Sequence, residues 1–404
     1  MKKIGLLLLF VCLPLFLFGV DFSYSGMIRT RTTQQTMMLE SDMNEIPHDT
    51  ITYSDYRMRL FTEATFSDSL NLVWGVEVNG LWGNEEQNRD EINVKTKHLY
   101  LDFTPDMIQM LNFRVGLQPY KDIYQGAIFD EDAIGVSIMP ELKFVDLKMG
   151  YFVFNDEEAA EGESRRFYTF DAAKTFGKLT AKTAVLYNKD KDEELSSLYY
   201  GLTADYAFND RLQAGALYAY CDNTWLPADE DDYNDHGWFI YGYASYAVSD
   251  KMNVKLHYGM SPGKSNDNGD YISFMGIMPY FNPYGLEYLF KGPVMDDNPV
   301  FLSPGYDIYG DWEIIGQQVI AANITYDMFY LNAGYVTLAS YEWSPSDVDN
   351  YTKSFGTEVD LGVKLDVMEG LELSAVYAMF MPGDFFELDD DTAHEMSAKL
   401  QYNF

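Results

Sequence analysis

Apolar and polar residues alternate along most of this chain with a period of two. Between 355 and 367, Phe355, Thr357, Val359, Leu361, Val363, Leu365 and Val367 share one parity, while Gly356, Glu358, Asp360, Gly362, Lys364 and Asp366 share the other. Successive side chains of a strand point to opposite faces, so the division predicts strands with one apolar and one polar face. It recurs in Val145, Leu147, Met149, Tyr151 and Val153, and in Leu70, Leu72, Trp74, Val76 and Val78. It returns in Met396, Ala398, Leu400, Tyr402 and Phe404. Each segment runs for roughly 10 residues, the length a tilted strand needs to cross a bilayer.

The links between these segments alternate too. Ser67-Asp68-Ser69, Asn209-Asp210, Ser249-Asp250 and Met368-Glu369-Gly370 are tight, whereas 34–50, 83–93, 155–164, 189–196, 222–236, 342–352 and 383–392 are long and mostly acidic. Short turns at one rim and long loops at the other predict an all-β fold, a transmembrane antiparallel β-barrel with short periplasmic turns and long acidic extracellular loops. A large soluble β-sandwich needs no such asymmetry. Counting segments gives about eighteen strands. The alternatives are sixteen, if a short strand is false, or twenty, if the Gly- and Pro-rich stretch 262–311 holds a further hairpin. That stretch is otherwise one long loop folded over or into the barrel. The long uncharged apolar run, Ile4 to Val20 behind Lys2 and Lys3, reads as a secretory signal over 1–20, with a retained membrane anchor as its alternative. The barrel then occupies 21–404.

Composition excludes several classes. With 28 Lys and Arg against 63 Asp and Glu, the formal charge is -35, which leaves no basic face for nucleic acid. An aromatic content of 16% argues against disorder. Removing the signal removes Cys12 and leaves Cys221, so no intrachain disulfide is expected. The five His residues are scattered without metal-ligand spacing, and no strand-turn-helix Gly-x-Ser-x-Gly elbow occurs. Gly259 to Ser265 looks like a phosphate loop one residue short between its glycines. No catalytic residue, metal or cofactor is expected.

The sequence resembles a bacterial outer-membrane porin. The likeness rests on the signal, on Leu400-Gln401-Tyr402-Asn403-Phe404 with its final ring, and on Phe113 to Tyr120 running through Phe129-Asp130-Glu131-Asp132 to Val136. It implies that Phe404 acts as an assembly signal for the barrel-assembly machinery, that the protein sits in the lipid bilayer of the outer membrane, and that it forms a homotrimer. It also implies that loop 119–132 bends inward and narrows the pore.

If apolar partners face lipid, parity turns Arg29, Arg31, Arg57, Arg59, Arg114, Lys148 and Lys182 inward, with Glu63, His98 and Asp102. In the resembled family a basic wall opposes an acidic inward loop, which Asp122, Asp130, Glu131 and Asp132 would supply. Opposite charges across a narrow wet gap orient polar solutes and set ion selectivity. The alternative is that the arginines only satisfy neighbouring carboxylates such as Asp55, Glu63 and Glu77. The expected function is a passive water-filled channel for ions and small hydrophilic solutes. Overall acidity favours cations, and the arginine cluster locally favours carboxylate or phosphate groups. Other readings are a structural or adhesive barrel with a plugged lumen, and a barrel enzyme using His236 beside Asp235 or His98 near Asp102. Tyr280, Phe281, Tyr284, Tyr288 and Phe290 suit either a slide for sugars or packing of the long loop.

Overall fold

The structure is a computed structural model that describes residues 19–36, 50–82, 93–154, 165–190, 195–225, 233–265, 271–274, 276–277, 279–287, 316–341, 350–384 and 392–404. The leader and most of the long links fall largely outside these residues. The strands, in chain order, are β1 (Asp21–Thr36), β2 (Thr50–Ser67), β3 (Leu70–Leu81), β4 (Asn93–Phe103), β5 (Leu111–Lys121), β6 (Asp130–Pro140) and β7 (Asp146–Phe154). Next come β8 (Arg165–Phe176), β9 (Leu179–Asp190), β10 (Leu195–Ala207), β11 (Leu212–Trp225), β12 (Tyr233–Ser249) and β13 (Met252–Ser261). A short pair follows, β14 (Gly263–Ser265) and β15 (Tyr271–Ser273), before β16 (Gly316–Tyr326), β17 (Phe329–Tyr341), β18 (Asn350–Met368), β19 (Leu371–Pro382) and β20 (Ala393–Asn403).

Each long strand pairs antiparallel with its chain neighbours, and β13 pairs directly with β16 across the short pair. Eighteen strands therefore make the wall, as the segment count predicts. The hairpin expected as the alternative exists within 262–311, but it leans on the end of β12 through His236 and Ile272 and adds nothing to the circumference. The barrel closes where β1 meets β20, from Met27 opposite Asn403 to Gln35 opposite Glu395, with Gly26 and Phe404 exchanging backbone hydrogen bonds of 2.9 and 3.1 Å. Closure removes both sheet edges, which would otherwise expose rows of unpaired amides and carbonyls.

Turns on the rim of the termini are tight. Gly177 and Gly370 take left-handed φ values of +61° and +75° there, a conformation that costs glycine no steric penalty. The opposite rim carries the long links.

Parity sorts the side chains inside out relative to a soluble protein. Tyr24, Trp74, Leu99, Ile134, Tyr168, Leu202, Leu256, Ile320, Leu361 and Leu400 stand exposed on the outer surface, while Thr33, Asp55, Arg57, Glu77, Gln118, Ser197, Glu358, Asp360 and Glu395 are buried inside. Phe355 departs from the predicted lipid face. Val336 pairs with Gly356 and Thr337 with Ser354, so Phe355 is an extra residue in a bulge. Its ring turns into the barrel onto Phe380, centroids 5.7 Å apart.

Candidate functional site: a divided lumen

The lumen is shaped by the β5–β6 hairpin. β4 pairs with β5 only up to Leu99 opposite Leu117, and β6 pairs with β7 only from Ile134 opposite Val153. Beyond these points β5 and β6 continue to pair with each other, to Lys121 opposite Asp130. The hairpin tip thus leaves the wall, and both of its faces lie within the barrel. The predicted inward loop over 119–132 is accordingly a strand pair with a tight loop at 122–129.

One face of the tip packs on β7 to β9. Tyr120 sits 5.1 Å from Phe152 and 5.7 Å from Phe167, and Phe129 stacks on Phe167 at 5.0 Å, ring centroid to centroid. Tyr120 donates its hydroxyl hydrogen to Asp171, and Tyr124 donates to the Ala184 carbonyl at 2.7 Å. Such aromatic pairs add about 0.5–1.5 kcal/mol each beyond the area they bury.

Asp122 is the knot of the loop. Its carboxylate accepts the backbone N–H groups of Tyr124, Gly126, Ile128 and Phe129 at 2.6–3.0 Å. Burial pushes this carboxyl up to about 6, with the four donated amide hydrogens favouring the carboxylate form. This corrects the expectation that Asp122 presents its charge to the pore. The group is almost fully buried because the loop closes around it, turning four of its own N–H groups onto the carboxylate.

The long loop completes the filling. Ile277 N–H donates to the Ile128 carbonyl and Tyr280 N–H to the Gly126 carbonyl, each within 2.9 Å. Phe274 packs against Tyr199 and Phe239, and Phe281 meets Phe239 and Tyr241 edge-on. Tyr284 meets Tyr241 and His257. Asn323 and Asn332 donate to the carbonyls of Tyr284 and Gly285 at 2.6 and 2.7 Å, and Glu287 N–H donates to Asp360. Packing therefore continues along the inner wall from β7 round to β18. Phe281 and Tyr284 serve packing rather than a slide. Tyr280 is 38% exposed and Tyr288 and Phe290 lie outside the described residues. The packing is close enough that Gly259→Ala would drive a methyl into the Tyr284 hydroxyl. We expect that variant to remain a barrel by circular dichroism but to lose protection of 276–286 in limited proteolysis, at a cost of about 1–3 kcal/mol for overpacking.

The other side stays polar. Asp55 holds both Arg29 (3.2 Å) and Arg31 (2.7 Å). Glu77 holds Arg59 (2.6 Å) and lies 3.8 Å from Arg57. Between this wall and the hairpin tip is a space of about 560 Å³, bounded by Arg57, Arg59, Glu77, Lys95 and Lys97 on one side and by Lys121, Asp130, Glu131, Asp132 and Tyr280 on the other. Asp132 is tied back to β4 by Lys97 and by His98 at 3.1 Å. His98 is thus engaged with Asp132 rather than Asp102. Of the residues singled out from sequence, Arg57, Arg59, Asp130, Glu131 and Asp132 meet at this space, with Arg29 and Arg31 beside it on β1.

The others lie apart. Arg114 makes a two-pronged pair with Asp102 at 2.7–3.2 Å and stacks 4.4 Å over Tyr100. Lys148 lies 4.7 Å over the Tyr120 ring, beneath the packed face of the tip. Lys182 faces inward further round, opposite Ala173 and Thr203. Lys95, Lys97 and Lys121 escaped the parity reading. A bulge between Gly75 and Val76 pairings shifts the phase of β4 there, and Lys121 sits on the part of the hairpin that has left the wall. Among the described residues no cluster of three or more His, Cys, Asp or Glu is placed to hold a metal.

Residues 83–225, from the link after β3 to the end of β11, match a family model described as Gram-negative porin. No curated protein matches the chain. Among solved structures, Acinetobacter baumannii OccAB3 superimposes with a TM-score of 0.60 at 11% identity, over 95% of this chain and 99% of that one. Pseudomonas aeruginosa OccK9 (OpdG) gives 0.60 at 10% over 95% and 98%, and OccK1 (OpdK) of the same organism gives 0.59 at 10% over 95% and 98%. At such identities the likeness establishes the fold, a porin-like barrel over nearly the whole chain.

Proposed function

We propose that this porin-like barrel is an outer-membrane channel through which ions and small hydrophilic solutes diffuse passively. The observation that carries the reading is the polar space between the β2–β4 wall and the hairpin tip, lined by bases and acids on both sides and spanned at one edge by the Lys97–Asp132 ion pair. Charges of both signs in a confined wet passage orient dipolar solutes and tax ions of either sign. The chain as a whole carries -35, so cations are gathered at the mouths. At the gap Arg57, Arg59, Lys95, Lys97 and Lys121 offset Glu77 and the hairpin acids. Cation preference is therefore weaker than overall charge suggests, and solutes bearing a carboxylate or phosphate find local partners. Residues 1–20 serve as the export signal, Phe404 as the assembly signal read by the barrel-assembly machinery, and the assembly is a homotrimer.

The filled side of the lumen favours a second reading, a plugged barrel with a structural or adhesive role. Single-channel recording of the refolded mature chain in a planar bilayer, with a salt gradient for the reversal potential, separates the two. Steady conductance with modest cation preference supports the channel. A correctly folded barrel without conductance gives the plugged reading.

A further inference from the structure

The outer surface carries one basic feature that the channel does not use. Arg166 on β8 and Lys189 on β9 lie directly opposite each other in register. Their parity is outward, because Arg165, Phe167, Asn188 and Asp190 on the same strands point in, with Arg165 ion-paired to Asp190. Two residues toward the bilayer, Tyr168 pairs with Tyr187, and Tyr168 also pairs with Tyr151 of β7. These rings form an exposed ladder with centroids 6.1 and 5.1 Å apart. The arginines facing the lumen, Arg29, Arg31, Arg57, Arg59, Arg114 and Arg165, are all held by carboxylates. Arg166 and Lys189 have no ion pair or hydrogen bond among the described residues. Further round the same rim, outward positions on β11 and β12 hold Asp222 opposite His236.

We propose that Arg166, Lys189 and the tyrosine ladder beneath them form a lipid-facing site for the phosphate groups of an outer-leaflet glycolipid, resting on the outer-membrane reading above. Both residues lie at strand ends, Arg166 after link 155–164 and Lys189 before link 191–194, on the rim opposite the termini, which in that reading faces the cell exterior. Tyrosines mark the level where hydrocarbon gives way to headgroups, and two bases one step above them stand where lipid phosphates lie. Charge complementarity selects the occupant. In so acidic a chain, two bases left unpaired at headgroup height match a phosphorylated headgroup and repel nothing in it. Adjacent links 155–164 and 191–194 bear Asp156, Glu157, Glu158, Glu161, Glu163 and Asp192 to Glu194, whose carboxylates compete for the two bases.

The test uses the refolded mature barrel in detergent, titrated with bis-phosphorylated lipid A and read by native mass spectrometry. Wild type is expected to retain the lipid, and the Arg166→Gln/Lys189→Gln double variant to bind roughly 30-fold more weakly, as expected for two bases at an anionic lipid surface. Lys174→Gln, lower on the outward face of β8, is expected to bind as wild type. Lipid A stripped of its phosphates is expected to bind wild type as weakly as intact lipid A binds the double variant, a comparison that does not depend on the variant folding. Equal affinity of wild type and folded double variant overturns the site and assigns the bases to the acidic links. Displacement of lipid A by millimolar inorganic phosphate overturns the lipid assignment in favour of a free-anion site. Unchanged single-channel conductance in the double variant is expected, and keeps this result separate from the fate of the channel reading.

Discussion

Asp122→Ala is expected to raise single-channel conductance by about twofold or more, since the hairpin tip is what narrows the lumen. The carboxylate is the acceptor for four backbone N–H groups, and Asp122 itself is only 4% exposed. Alanine leaves those donors buried and orphaned. Each lost partner costs about 1–3 kcal/mol, and the four are too close to be additive, so about 3–5 kcal/mol is a reasonable total. The wall does not depend on this loop, because its ladders continue through β4, β7 and their neighbours. The barrel therefore survives while 122–129 unravels, releasing Ile277 and Tyr280, whose amides lean on it. Asp122→Asn keeps an acceptor oxygen and is expected to fall between wild type and alanine. Noisy, enlarged conductance steps in the alanine variant, with heat-modifiable mobility retained, would support this account. Wild-type conductance in a folded Asp122→Ala barrel would refute it.

The second large effect concerns selectivity. Arg57→Gln/Arg59→Gln removes two charges from one side of the gap and leaves Lys95, opposite Glu77 in register, as the base facing that carboxylate. Glu77, Asp130, Glu131 and Asp132 then dominate the passage. The permeability ratio of potassium to chloride is expected to rise by about three- to tenfold, as one or two uncompensated charges at a narrow site are worth roughly 1 kcal/mol there. The reversal potential in a tenfold KCl gradient measures it. The opposite substitution, Glu77→Gln, removes the carboxylate shared by both arginines and is expected to move the reversal potential toward anions. Identical reversal potentials in all three proteins would mean that the ion path does not run along this wall.

Much of the architecture was legible because it depends on parity and link length. The period of two identified Leu70 to Val78, Val145 to Val153 and Met396 to Phe404 as outward faces, and the alternation of tight and long links gave eighteen strands. What failed did so where the phase breaks. A single extra residue turned Phe355 inward, and the β4 bulge hid Lys95 and Lys97. Arg57 and Arg59 were found by parity, but their shared partner Glu77 was one of several candidates until the β2–β3 register was known. Asp122 was misread because sequence cannot reveal that a carboxylate serves its own loop's amides. Nor could it foresee that the hairpin tip leaves the wall, since a strand facing lumen on both sides carries the same alternation as one facing lipid.

The unequal filling of the interior has a mechanical consequence. From β7 to β18 the wall is braced from within by a cluster of buried rings, whereas among the described residues the inner face of β1 to β4 carries ion pairs such as Arg29–Asp55 and Arg59–Glu77. Such a tube bends like a beam with a keel. Thermal undulations and lateral pressure from the bilayer flex the hollow arc, and slow amide exchange should be concentrated along the braced one. The narrow gap lies on the hollow side, the part of the lumen least braced against such flexing.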